Sequence, residues 1–149
     1  MSINKIANIL GISPDTARRY LSFFEETFLI HLVPRFGKTN ETILSTKKLY
    51  AADLGIRNLF TGFRDKGALF ENAVFQKIKQ YNPRYVVDDG LELDFLTEKK
   101  TLIEVKYGRE IENKQKALFE SYVAPKKCLI GTIEDYLSID TWINEGRLV

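Results

Sequence analysis

The chain has 149 residues, of which 44% are hydrophobic, and this is enough to bury a core in one domain or in two small ones. Its single cysteine, Cys128, excludes a disulfide framework and a cysteine-rich zinc site. Residues 1–66 have a net charge of +4 and residues 67–149 a net charge of −2, which favours polyanion contact in the first half and a cation site in the second.

The composition also predicts where the protein works. No stretch approaches the roughly 20 apolar residues that a membrane span needs. The first residues form an interrupted amphipathic pattern and not the apolar run of a signal peptide. With one cysteine, these features predict a cytoplasmic protein that makes no membrane contact.

Residues 4–24 have the spacing of a helix-turn-helix. Apolar residues at helical spacing end at a glycine, and Ser13 and Pro14 then supply the N-cap and first position of a second helix. That helix would expose Arg18 and Arg19, whose guanidinium groups suit phosphates or guanine edges. We predict DNA contact by this helix, and the alternative is a motif that contacts only protein.

The first helix of this motif begins within a few residues of Met1, so we expect no preceding helix to complete a three-helix core. An apolar patch would then stay uncovered. We expect the chain to be a fragment of a longer protein, or to self-associate through residues 1–30. The residues of the patch are Ile3, Ile6, Ile9, Leu10, Phe23 and Phe24.

Residues 28–52 are predicted to form two strands joined by a polar tip. After a helix-turn-helix, such a hairpin is typical of the wing of a winged helix. Lys38, Lys47 and Lys48 make it basic, and we expect them to contact DNA. His31, the single histidine, has apolar neighbours and is expected to be a packed strand residue and not a ligand or a base.

A glycine-bounded segment at 62–67 is the predicted domain boundary, which divides the chain into residues 1–62 and 63–149. The second part is predicted to contain a helix, three strands, a helix, a strand and a last helix. The predicted bounds are 67–80, 85–87, 91–97, 101–107, 110–122, 127–131 and 133–145.

Two strands of this second part alternate with the period of two that marks a half-buried strand. In the first, Leu91, Leu93 and Phe95 are predicted to share one face, opposite Glu92, Asp94 and Leu96. A hairpin that pairs Leu96 with Leu102 keeps each face chemically consistent.

This register predicts that Asp94 lies across from Glu104, and Glu92 across from Lys106. Facing carboxylates repel each other unless a cation lies between them, and a hard divalent ion such as Mg²⁺ suits them. Lys106 could then orient a water molecule. The alternative is a solvated face on which Glu92 and Lys106 form an ion pair.

An acidic residue in one strand followed by Glu-Val-Lys in the next, here Asp94 and then Glu104 to Lys106, resembles the PD-(D/E)XK restriction-endonuclease-like nucleases. The proline that usually precedes the aspartate is replaced by Leu93. The resemblance implies an αβββαβ core. It also implies an acidic site residue on the preceding helix, which Glu71 matches, and an accessory glutamine on the following helix, which Gln115 matches.

The whole chain resembles a narrower family, the C-terminal region of prokaryotic AAA-type ATPases. This resemblance implies a winged helix fused to a nuclease-like domain, with an ATPase module in a longer parent chain or in a partner. Four sequence blocks in order carry it: Gly11 to Leu21, Lys48 to Gly55, Gly67 to Phe75, and Leu93 to Phe95 with Ile103 to Lys106.

The sequence therefore predicts an α/β (α+β) chain with a winged-helix-like part and a nuclease-like part. The predicted function is DNA phosphodiester hydrolysis with Mg²⁺ (or Mn²⁺). Asp94 and Glu104 would hold the ion, Lys106 would assist the water, and Glu71 would tune the site or hold a second ion. The alternative is a catalytically silent DNA- or protein-binding module that regulates an ATPase.

Overall fold

The structure, a computed structural model, describes residues 2–145, so residue 1 of the predicted first domain and residues 146–149 of the second lie outside the described residues. It is a mixed α/β protein with two sheets. The helices are α1 (Ile3–Leu10), α2 (Pro14–Glu26), α3 (Thr39–Leu44), α4 (Leu54–Thr61), α5 (Lys66–Ile78), α6 (Asn113–Ser121) and α7 (Ile133–Glu145). The strands are β1 (Ile30–Val33), β2 (Lys48–Ala51), β3 (Arg84–Asp88), β4 (Leu91–Leu96), β5 (Thr101–Val105) and β6 (Lys126–Ile130).

The two N-terminal helices form where their capping residues predict. Gly11 ends α1 in the left-handed conformation with a φ of 63°, and its N–H bonds back to the carbonyl of Ala7. The hydroxyl of Ser13 accepts from the N–H of Thr16 and caps α2, with Pro14 at the first position. Ala7 and Ala17 are both buried, so the helices meet through small side chains.

The predicted apolar patch is largely exposed on these helices. Ile9 is 69% exposed, Leu10 62% and Phe23 57%. Ile3 and Ile6 are half-buried. Self-association through this surface stays a prediction.

Strands β1 and β2 form the predicted antiparallel hairpin, in which Ile30 is opposite Ala51. The connection differs from the expected polar tip, because part of it forms α3. The carboxylate of Glu41 accepts a hydrogen bond from the N–H of Lys38, and this contact closes the first turn of the helix. His31 lies half-buried against Phe75 and is a packed strand residue, as predicted.

The second sheet has the strand order β3-β4-β5-β6. The first three strands pair antiparallel, and β6 joins β5 in parallel. Parallel strands need a crossover connection, and α6 lies within it. Leu96 pairs with Leu102, as predicted. From α5 to α7 the elements follow the predicted order.

Both faces of this sheet are covered. One face packs against α5 and α7 through a cluster that includes Phe95 and Ile103, and the other packs against α6 through Leu93, Leu96 and Leu102. All five residues of β5 are buried. The expectation of half-buried strands is therefore wrong for β5, whose polar residues lie in the interior and not on a solvated face.

A register shift in β4 overturns the predicted division of its faces. Arg84 pairs with Leu96, but Val86 pairs with Leu93, so β4 accommodates one residue more than β3 between these pairs. Leu93 consequently packs on the same side as Leu96, and Phe95 packs on the other side. Bulges of this kind redirect side chains next to functional sites, and this one includes Asp94.

Among the described residues, no helix is long and apolar enough to cross a membrane.

Candidate active site

The site forms where the backbone pairing of β4 with β5 ends. The pairs nearest the site are Phe95 with Ile103 and Leu96 with Leu102. Beyond them, the N–H of Asp94 donates to Oε2 of Glu104 at 3.1 Å, and the N–H of Val105 donates to Oδ2 of Asp94 at 2.9 Å. The carboxylates thus take the place of ladder carbonyls, and Asp94 and Glu104 lie together as predicted.

The environment of these two carboxylates is nearly closed to solvent. Asp94 is 8% exposed and Glu104 is fully buried. Burial raises the pKa of the Glu104 carboxyl to about 7, and the Asp94 charge adds to the rise. Hydrogen bonding to Lys106 opposes it. A buried carboxyl that titrates near neutral pH is typical of functional sites.

Two further side chains meet the same oxygen of Glu104. The Lys106 ammonium lies 2.6 Å from Oε1, and the Gln115 amide donates to that oxygen at 2.7 Å. Gln115 also donates to the carbonyl of Glu92 at 2.8 Å, so α6 is tied to both β4 and the site. Gln115, the predicted accessory residue, thus contacts Glu104, and its accessory role stays a prediction.

A second cation enters from the other sheet. The Lys48 ammonium, at the start of β2, lies 2.8 Å from a carboxylate oxygen of Glu92, 3.0 Å from Asp94 and 3.1 Å from Glu71. We call Glu71, Glu92, Asp94 and Glu104 the carboxylate cluster. Burial on its own would lower the pKa of Lys48, but Asp94, Glu71, Tyr50 and Glu92 raise it well above its usual range. The surrounding carboxylates thus favour the charged form of Lys48.

Strand β2 is held against α5 by side chains that sequence reasoning did not single out. The hydroxyl of Tyr50 donates to Glu71 at 2.7 Å. Asn72 bonds both backbone groups of Ala51 at 2.9 Å, and Gln76 donates to the same carbonyl. Tyr50 lies in the sequence block from Lys48 to Gly55, and Asn72 lies in the block from Gly67 to Phe75. Both blocks belong to the family resemblance, which was the available signal that these two segments pack together.

Two observed ion pairs replace the predicted opposition of Glu92 and Lys106. Glu92 pairs with Lys48, and Lys106 pairs with Glu104, so the expected opposition of Glu92 and Lys106 is wrong. Lys48 was expected to contact DNA from a basic wing. Its ammonium instead lies among carboxylates, with a side chain only 19% exposed.

The other residues predicted to contact DNA are on the surface. Arg18 and Arg19 are exposed on α2, and Arg18 forms an ion pair with Asp15 at 2.6 Å. Lys38 precedes α3, and Lys47 precedes β2, both exposed. Contact of these four residues with DNA stays a prediction.

Asp94 and Glu104 are the members of the cluster whose chemistry suits a hard cation. Within residues 2–145, no group of three or more Asp, Glu, His or Cys side chains is arranged to hold a metal ion by itself. Asp94 and Glu104 supply two buried carboxylates whose repulsion a cation would relieve. Two carboxylates with water and substrate phosphates are a usual Mg²⁺ environment. Glu71 faces Lys48 and Tyr50, and so it is not arranged as a third ligand.

A groove of about 860 Å³ elsewhere on the protein is not this site. It lies between β1 and the β4–β5 turn and is lined by residues such as His31, Arg84 and Lys100. It contains no member of the carboxylate cluster.

Comparison with known proteins gives two matches. A family model described as a domain of unknown function (DUF8612) matches residues 1–67, which include Lys48 and Tyr50. The chain is similar to an uncharacterized protein of Methanocaldococcus jannaschii, with 34% identity over 160 residues that cover 98% of this chain and 35% of that protein. The chain thus spans about a third of the length of that relative. No solved structure matches significantly.

Proposed function

We propose that this chain is a PD-(D/E)XK-type nuclease module that hydrolyses DNA phosphodiester bonds with Mg²⁺ or Mn²⁺. The observation that carries the proposal is the convergence of Asp94, Glu104, Lys106 and Gln115 at one buried point, although they come from two strands, the segment after β5 and a helix. A structural ion pair would not need a buried carboxylate pair with both a lysine and a glutamine on one oxygen.

The arrangement of elements supports the same proposal. Helix α5, three antiparallel strands, α6 and a parallel β6 follow the αβββαβ order that the family resemblance implies. Helices α1 and α2 followed by the β1–β2 hairpin match the winged-helix-like part. The greater length of the archaeal relative supports a parent protein with further modules, for which we propose an AAA-type ATPase.

Each residue has a separate part in the proposed reaction. Asp94 and Glu104 would hold the ion, which when bound would polarise the phosphate and lower the pKa of water. Water adds to phosphorus and one P–O ester bond breaks, which yields a phosphate monoester and a hydroxyl. Lys106 orients the water and stabilises charge on the phosphoryl oxygens. Gln115 orients Glu104.

The direct test measures metal binding and cleavage on the same samples. We expect Mn²⁺ to stabilise the fold by about 2.7 kcal/mol at a hundred times its Kd, and we expect plasmid nicking in the same buffer. Asp94→Asn should remove both effects, because it removes an ionised ligand and keeps the side-chain shape. Thermal unfolding with and without Mn²⁺ gives the shift for each variant. An equal shift in the parent and in Asp94→Asn would place the metal elsewhere.

A catalytically silent DNA- or protein-binding module is the second candidate. The observation that favours it is that Lys48, Lys106, Gln115 and backbone N–H groups already satisfy oxygens of the carboxylate cluster. DNA or protein binding without plasmid nicking would select this candidate, provided that the same sample shows the Mn²⁺-dependent shift in thermal unfolding.

DNA contact by α2 has its own test. Arg18→Ala combined with Arg19→Ala should weaken duplex binding and lower the slope of log K against log salt by up to about 2. The Asp15 pair does not prevent this, since exposed ion pairs are weak. Fluorescence anisotropy at several salt concentrations measures the slope.

The matched control removes two exposed lysines of α6, Lys114 and Lys116. Equal losses in both double variants would mean that the effect follows total charge and not this helix.

A further inference from the structure

The feature that the proposed reaction leaves unused is the Lys48 ammonium. Three carboxylate oxygens from two elements surround it at 2.8–3.1 Å: Glu71 from α5, and Glu92 and Asp94 from β4. Oxygens gathered from separate elements around one positive centre form the kind of environment that also binds metal ions. Lys48 thus occupies a cation position next to the Asp94–Glu104 pair.

The charges of the site leave room for one divalent ion. When all groups are ionised, the four members of the carboxylate cluster face two ammonium groups, those of Lys48 and Lys106. One Mg²⁺ or Mn²⁺, with its charge of +2, would balance the remaining charge of −2. Without Lys48 the remaining charge would be −3, and Glu71 and Glu92 would lose the ammonium that pairs with them.

Aromatic rings and a fixed strand hold the Lys48 ammonium in its position. The rings of Phe95 and Tyr85 lie with centroids 5.8 and 6.0 Å from its Nζ, within the range of cation–π contact. Strand β2, which carries it, is held to α5 by the Asn72 bonds to Ala51. The ammonium is therefore delivered from a fixed strand and not from a mobile loop.

We propose that Lys48 is a built-in second cation, which fills the position formed by Glu71, Glu92 and Asp94 and restricts the site to one divalent ion. The inference rests on the proposed function for the ion held by Asp94 and Glu104. Lys48 is then a positioning residue. Strand β2 of the first sheet carries it, and its ammonium holds the carboxylates of Glu71, Glu92 and Asp94 in place. Glu71 was expected to tune the site or to hold a second ion, and in this proposal it pairs with the Lys48 ammonium.

Counting bound Mn²⁺ tests this proposal without an activity assay. Isothermal titration calorimetry of the chain should give one ion per parent molecule and two per Lys48→Met molecule. For the second ion to bind, the three carboxylates must move inward by about 0.5–1 Å from their distance to an ammonium. Lys48→Met combined with Glu71→Gln should return to one ion, because it removes a ligand of the new position. Lys114→Met, at an exposed position, should stay at one.

The outcomes separate this inference from the proposed function. One ion at parental affinity in both the parent and Lys48→Met overturns the inference and leaves the nuclease proposal standing. No ion in the parent and one in Lys48→Met would overturn the Asp94–Glu104 metal site, and with it the inference that Lys48 restricts the site to one divalent ion. Lys48→Met could also be unfolded in metal-free buffer. Recovery of its circular dichroism in millimolar Mn²⁺ would then support the inference, and no recovery would overturn it.

Discussion

Replacing Lys106 by alanine is expected to lower the Mn²⁺-dependent cleavage that we propose by about 10²–10³-fold, the loss typical when one preorganised donor to a transition state is removed. The Lys106 ammonium is partly buried and lies 2.6 Å from Glu104, at the end of β5 where a phosphate could approach. Its loss should leave the fold intact, because no other side chain of the described residues is held by it. Plasmid nicking rates measure the effect, and thermal unfolding in Mn²⁺ checks that metal binding persists.

The matched control for this variant is Lys114→Ala, which removes an exposed lysine of α6 and should cleave at the parental rate. Cleavage by Lys106→Ala at the parental rate would contradict the role given to this ammonium. Cleavage that also survives Asp94→Asn would come from a contaminating nuclease.

The stability of the metal-free protein should fall as pH rises from about 4.5 to 7, by as much as about 3 kcal/mol from Glu104 alone. The folded-state pKa of this carboxyl is about 7, above its ordinary value of 4.5, because burial and the Asp94 charge disfavour ionisation. The folded protein therefore binds more protons in this interval. The stabilising contribution is fully present below pH 4.5 and is lost as the pH passes 7.

Urea unfolding at pH 5, 6, 7 and 8 in EDTA measures this slope as the difference between the parent and Glu104→Gln, which cannot titrate. The control is Glu110→Gln, at an exposed position, whose pH profile should follow that of the parent. Millimolar Mn²⁺ should flatten the parental profile, because a cation favours the ionised carboxylate. Parallel profiles for the parent and Glu104→Gln in EDTA would contradict the raised pKa.

Local sequence signals were sufficient for most of the elements. Ser13 and Pro14 begin α2, and Gly11 ends α1, because caps depend on side chains within three or four residues. The pairing of Leu96 with Leu102 also followed from the sequence, since hydrophobic pattern and a short turn specify the register of a hairpin. That register brought Asp94 close to Glu104.

Local sequence signals were insufficient, or predicted the wrong environment, for residues whose surroundings are determined by distant parts of the chain. The bulge in β4 depends on its pairing with β3, so the alternation of Leu91 to Leu96 predicted the wrong faces. The burial of all of β5 depends on helices packed against both sides of the sheet. Gln115 was placed only through the family resemblance, and its contact with Glu104 depends on how α6 crosses the sheet.

By itself, the sequence determined the order of elements, the hairpin register and the proximity of Asp94 and Glu104, because these follow from contacts over a few residues. Only the tertiary structure decided which residues surround Lys48. It is 23 residues from Glu71 and 46 from Asp94, and no periodicity in the chain joins such distant positions. Its local pattern places it in a basic, exposed hairpin. The docking of β2 on α5 turns the same side chain into the cation at the centre of three carboxylates.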